Sequence, residues 1–136
     1  FNGSVKFFEP VGVRQVARIM AAADLGIVPK RADSFGNEAY STKIMEFMSV
    51  GIPVVISRTK IDQFYFNDSV VRFFDSGNAA ALAEGMIEVL ENPERRRRMV
   101  ANALAYSDEH SWKRRKTDYL RIADDLIAGT PPKPAT

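Results

Sequence analysis

Two glutamates, Glu38 and Glu46, stand with seven residues between them in the segment EAYSTKIME. Glu38 precedes a predicted helix and Glu46 falls on its second turn, so at a rise of about 1.5 Å per residue the carboxylates lie on the order of 10 Å apart. Two carboxylates so far apart cannot share one reacting atom, but they can grip the two ends of one elongated ligand. Between them Ser41, Thr42 and Lys43 open the helix. The first amides of a helix point outward with partial positive charge, which suits a phosphate or a developing anion. Lys43 reads equally as a full positive charge for that anion and as a solvated surface lysine. A ligand with hydroxyls at both ends and a diphosphate in the middle, a nucleotide sugar, fits this layout.

Composition narrows the alternatives. There is no cysteine and a single histidine, His110, so disulfide frameworks, thiolate catalysis, Cys-bearing zinc sites and serine triads fall away. Carboxylate and backbone chemistry without a metal remains. The 19 Lys and Arg nearly balance 17 Asp and Glu, which argues against a surface built to hold nucleic acid. At 136 residues and 46% hydrophobic, the chain is expected to form one folded domain and not a disordered tail. No run approaches the roughly 18 apolar residues of a membrane span, and the start FNGSVKFFEP lacks the regions of a signal peptide, so the expected location is cytoplasmic.

The elements that must position the glutamates follow from hydrophobic periodicity. Val5 to Phe8 reads as a buried parallel-type strand ended by Glu9 and Pro10. A helix is predicted from Val13 to Ala22, with Val13, Val16, Ala17, Met20 and Ala21 on its apolar face. A strand follows at Leu25 to Val28, then the long polar loop PKRADSFGNEAYS, of a length that is usually functional. The next helix runs from Thr42 to Val50 with a core stripe of Ile44, Phe47 and Met48, and Gly51 stops it. Pro53 to Ile56 and Val70 to Phe74 read as strands, separated by the short amphipathic stretch IDQFYF. Helices are expected from Asn78 to about Leu90, Pro93 to about Tyr106, and Ser111 or Trp112 to about Ile127. Core packing is the expectation for Phe64, Tyr65, Phe66, Trp112 and Tyr119, a solvated basic face for Arg95 to Arg98, and an exposed turn for His110. Strand and helix alternate, the pattern of an α/β fold with a parallel sheet and helices on both faces. Ligands of such sheets bind beyond the carboxyl ends of the strands, where the loop after Val28 lies.

With its flanks, the motif resembles a known family. Glu38, seven residues, Glu46, then Met48, Gly51, Pro53, Val54 and Val55 are similar to the E-x7-E signature of the retaining GT-B glycosyltransferases of group 1. ADLGIVP at Ala23 to Pro29 and the Ser111–Trp112 pair at the last long helix agree with it. The resemblance extends from Val5 to about Ile127. It implies a Rossmann-like α/β domain, part of a GT-B C-terminal domain, with residues 1–128 forming a nucleotide-sugar donor region and 129–136 a disordered tail. Carried onto this chain, it makes Glu38 the catalytic residue, in contact with the donor sugar's hydroxyls. Glu46 then accepts hydrogen bonds from the ribose, and Tyr40, Ser41, Thr42 and Lys43 complete the donor site. Transfer with retained configuration, without cofactor or metal, is implied. Where the family tends to have Phe-Gly after the first glutamate, this chain has Tyr40 and Ser41, which narrows a sugar's approach to the backbone.

The resemblance also implies a missing N-terminal domain that supplies the acceptor site, and diphosphate-neutralising basic residues ahead of Phe1. On that expectation the isolated chain transfers nothing. It also exposes the edge at Val5 to Phe8, which predicts self-association. Polysaccharide assembly at the inner face of a membrane, with peripheral contact through the basic helix, is implied by the family alone. Two other readings stay open at this point: half of a sugar-nucleotide epimerase, and a non-catalytic α/β binding module.

Overall fold

The computed structural model describes residues 4–129. Among these residues nine elements follow one another, alternating as far as β3 and ending in three helices: α1 (Val13–Ala21), β1 (Gly26–Val28), α2 (Thr42–Ser49), β2 (Val54–Ser57), α3 (Lys60–Tyr65), β3 (Arg72–Phe74), α4 (Ala79–Glu91), α5 (Pro93–Glu109) and α6 (Trp112–Ile127). The strands form one parallel sheet in the order β1-β2-β3, with Ile27 opposite Val55 and Ile56 opposite Phe73.

The central strand β2 is buried at every position, as its unbroken run of apolar residues requires. Its side chains alternate between faces. Val54 and Ile56 join Ile44 and Met48 of α2 and Ala103 of α5 in one cluster. Val55 joins Val89 of α4 and Met99 of α5 in the other. Helices thus cover both faces, and the α/β, Rossmann-like expectation is met. Gly26 has a steric reason: a Cβ there would lie 2.6 Å from the Phe47 ring, so α2 seats on β1 only where that strand has no side chain.

Several expectations are corrected. Val5 to Phe8 is not a strand. Its apolar side chains are exposed, and no neighbouring strand offers it a ladder, so the run has neither the hydrogen bonds nor the buried face a strand needs. The unpaired sheet edges among the described residues are those of β1 and β3, so the predicted self-association through Val5 to Phe8 loses its premise. IDQFYF falls mostly within the helix α3. Val13, on the predicted apolar face of α1, is 82% exposed, and that helix buries no residue. Trp112 and Tyr119 do not anchor the core; they are exposed and meet each other edge to face at 5.8 Å. Of the three consecutive aromatics only Phe66 is buried, whereas Phe64 is 80% exposed. Arg95 is not simply solvated, because with Arg72 it pairs with Glu88. His110 is in an exposed turn as expected, its ring stacked on Tyr106 at 4.0 Å. The tail expected from residue 129 lies, from 130 onward, outside the described residues. Among those residues no helix is long and apolar enough to cross a membrane.

Candidate functional site

The strands end together, and the segment after β1 folds over that end. Asp33 to Glu38 is a chain of turns closed by its own hydrogen bonds. The Asn37 amide donates to the Asp33 carbonyl at 3.0 Å, and the Glu38 and Ala39 amides donate to the Phe35 carbonyl at 3.0 and 2.8 Å. Asp33 Oδ1 accepts from the Gly36 amide at 2.7 Å. Gly36 is obligatory, since a Cβ there would meet the Arg31 carbonyl oxygen at 1.8 Å.

Four of the six predicted site residues come together. Tyr40, Ser41, Thr42 and Lys43 line one concavity of about 540 Å³ with residues of β1, Pro29, Lys30, Phe35 and Ala39. Ser41 is the N-cap of α2, with extended backbone and no side-chain cap bond, so the first helical amides keep their donor capacity at the concavity's wall. Glu38 and Glu46 are exposed and do not line it. Among the described residues neither glutamate side chain takes part in an ion pair or a hydrogen bond. Both carboxylates are therefore free to meet a ligand from solvent.

Tyr40 is held in an aromatic row: its ring meets Tyr65 edge to face at 4.9 Å and stacks on Phe66 at 6.0 Å. Burial of its hydroxyl, aided by the nearby Tyr106, Tyr65 and Asp62, pushes its pKa up to about 12. At neutral pH Tyr40 is consequently an uncharged phenol, a hydrogen-bonding group and not a base. The Tyr106 hydroxyl donates to the Tyr65 carbonyl at 2.7 Å and fixes the far side of the row. Burial likewise raises the Tyr106 phenol.

Sequence reasoning missed the residues that hold this loop. Lys30 leaves β1 with its backbone fixed on both sides: its amide donates to Ser57 Oγ at 2.7 Å and its carbonyl accepts from Ser76 Oγ at 2.7 Å. Its ammonium lies 2.7 Å from Asp62 Oδ2 and donates to the Ala39 carbonyl at 2.9 Å. Asp62 is fully buried and also accepts from Thr59 Oγ1 at 2.6 Å. A sign of the latter was present, because Thr59-x-x-Asp62 is a helix-opening pattern of the capping-box kind. Among the described residues no group of three or more side chains suited to a metal ion converges.

Comparison with known proteins adds to this geometry. The phosphatidyl-myo-inositol mannosyltransferase of Mycobacterium leprae (strain TN) is 26% identical over 123 residues, which is 90% of this chain and 32% of that protein. A sucrose-phosphate synthase from Thermosynechococcus elongatus superposes with a TM-score of 0.80 at 20% identity, over 92% of this chain and 31% of that one. The likeness to the synthase is one of fold. The chain therefore spans about a third of the length of each. The family model of the glycosyl transferases of group 1 matches residues 1–105, which contain all three strands and the whole loop that follows β1, and to that family this chain belongs.

Proposed function

We propose that this chain is the latter part of the donor-binding domain of a glycosyltransferase that moves a sugar from a nucleotide-sugar donor to an acceptor with retained configuration. The observation that carries the reading is the single concavity lined by Tyr40, Ser41, Thr42 and Lys43, the residues enclosed by the two glutamates. Membership of the group 1 family supports the reaction class.

In this reading the diphosphate lies against the first turn of α2. There the backbone amides and Lys43 meet its negative charge, which grows as the bond from the anomeric carbon to the phosphate oxygen breaks and the electron pair passes to the leaving group. Glu38 holds hydroxyls of the sugar on one side, and Glu46, one turn into α2, accepts from the ribose. The neutral phenol of Tyr40 supplies ring surface and a hydrogen bond without repelling the phosphates. The acceptor hydroxyl forms the new bond to the anomeric carbon and gives up its proton to the departing phosphate oxygen. The groups that orient the acceptor belong to a domain outside this chain, and no metal is required.

The test is Glu38→Gln and Glu46→Gln in the full-length protein. Each substitution takes the charge from a hydrogen-bond acceptor that meets hydroxyls, so a tenfold to hundredfold loss in kcat/KM for the donor is expected, of the order of a charged hydrogen bond. A double variant that kept its transfer rate would refute the assignment.

A further inference from the structure

Glu38 is bracketed. On one side Asn37 is bound to the opening of α3: its Oδ1 accepts from the Lys60 amide at 3.0 Å and its carbonyl accepts from the Ile61 amide at 3.2 Å. On the other side the Ala39 carbonyl is bound by the Lys30 ammonium at 2.9 Å. Both anchors end on the same short helix, because Lys30 also pairs with Asp62 at 2.7 Å. Lys30 is 14% exposed and Asp62 not at all, so water does not compete strongly for the pair.

The pair is built as a fixed point. The Lys30 backbone is tied to Ser57 of β2 and to Ser76, which follows β3, so the ammonium extends from a residue locked to the sheet. Asp62 is held by Thr59. A lysine whose charge is spent on a buried carboxylate and a carbonyl is not a free phosphate ligand, although it lines the same concavity. Glu38, by contrast, projects from the loop with its carboxylate exposed.

We propose that Lys30 and Asp62 are positioning residues: through the Ala39 carbonyl, and opposite the Asn37 anchor, they fix the backbone at Glu38 so that its carboxylate is presented in one place. This deepens, and rests on, the reading of Glu38 as the contact to the donor sugar. Misplacing a positioned group by about 1 Å costs on the order of a hundredfold in rate, which is the scale such a clamp controls.

Two measurements on the full-length protein separate the clamp from the function. The first is amide hydrogen exchange at Asn37, Glu38 and Ala39, whose N–H groups are hydrogen-bonded within the loop. In Lys30→Met it is expected to quicken at least tenfold beyond the change that lost global stability brings to the buried β2 amides, and Lys30→Arg should restore most of the protection. The second is steady-state transfer, in which Lys30→Met is expected to lower kcat tenfold or more and to raise the KM for the sugar donor, again with rescue by Lys30→Arg. Asn37→Ala, which removes only a surface hydrogen bond, serves if Lys30→Met does not fold, with the same pattern at smaller amplitude. Unchanged loop exchange overturns the clamp. Faster exchange with unaltered kcat overturns its role in positioning. If Glu38→Gln leaves transfer intact while the exchange result holds, the donor-contact reading has failed and the clamp stands as structure only.

Discussion

The Lys30 ammonium lies 2.7 Å from Asp62 Oδ2, and this ion pair joins the end of β1 to the opening of α3 beneath the loop that carries Glu38. Removing one member strands the other in a site from which water is excluded. Lys30→Met should therefore cost about 3–5 kcal/mol of folding stability, read from denaturant midpoints at constant slope. The double change Lys30→Met with Asp62→Leu should lose much less, because it leaves no orphan charge. Equal losses for the single and double variants would contradict a buried pair of this kind.

Gly36 is fixed by the Arg31 carbonyl oxygen, which a Cβ would approach to 1.8 Å. Gly36→Ala must push the turns between Arg31 and Glu38 apart. A loss of about 1–3 kcal/mol is expected, the usual scale for forcing extra atoms into packed structure. The displacement should also weaken donor binding. A variant with wild-type melting temperature and donor affinity would show that this close approach does not constrain the loop.

How far the sequence foretells the structure differs from element to element. The periodic helices and the β2 run were legible because burial on both sides of one strand, or on one stripe of a helix, writes itself into residue order. The concavity lined by Tyr40 to Lys43 was legible as a motif. Val5 to Phe8 misled because its composition is that of a strand while no strand pairs with it among the described residues, and composition carries no record of pairing. Trp112 and Tyr119 misled similarly, since apolar spacing along α6 carries no record of whether the fold brings a surface against it, and both are exposed. Lys30 and Asp62 stayed hidden for a different reason: their contact joins residues far apart in sequence, and only the fold brings them together.

The Glu88 carboxylate accepts from Arg72 Nε at 2.7 Å and also pairs with Arg95. That hydrogen bond, with the charges of both arginines, holds it below the usual carboxylate range against an opposing effect of burial. A carboxylate lowered in the folded state adds stability above its unfolded pKa, and this is lost as the pH falls through the folded value. Glu88→Gln should accordingly be less stable than wild type near neutrality, with the difference vanishing in acid. A constant offset across that range, followed by thermal melts at stepped pH, would rule out the linkage.

Of the four tyrosines, Tyr40 is pushed up to about 12. In an ultraviolet phenolate titration it should ionise late, and Tyr40→Phe should remove that late step. Loss of the earliest step instead would mean that its hydroxyl is not sheltered beside Tyr65 and Phe66.

The central claim is that the surface between Glu38 and Glu46 binds a nucleotide sugar. Calorimetric titration of the full-length protein with a panel of nucleoside diphosphates and their sugars tests it most directly. The account predicts saturable binding of one donor series, weakened about tenfold or more by Glu46→Gln for the bare diphosphate as well as the sugar donor, and by Glu38→Gln for the sugar donor alone. Binding of the full panel that is indifferent to both substitutions would contradict it.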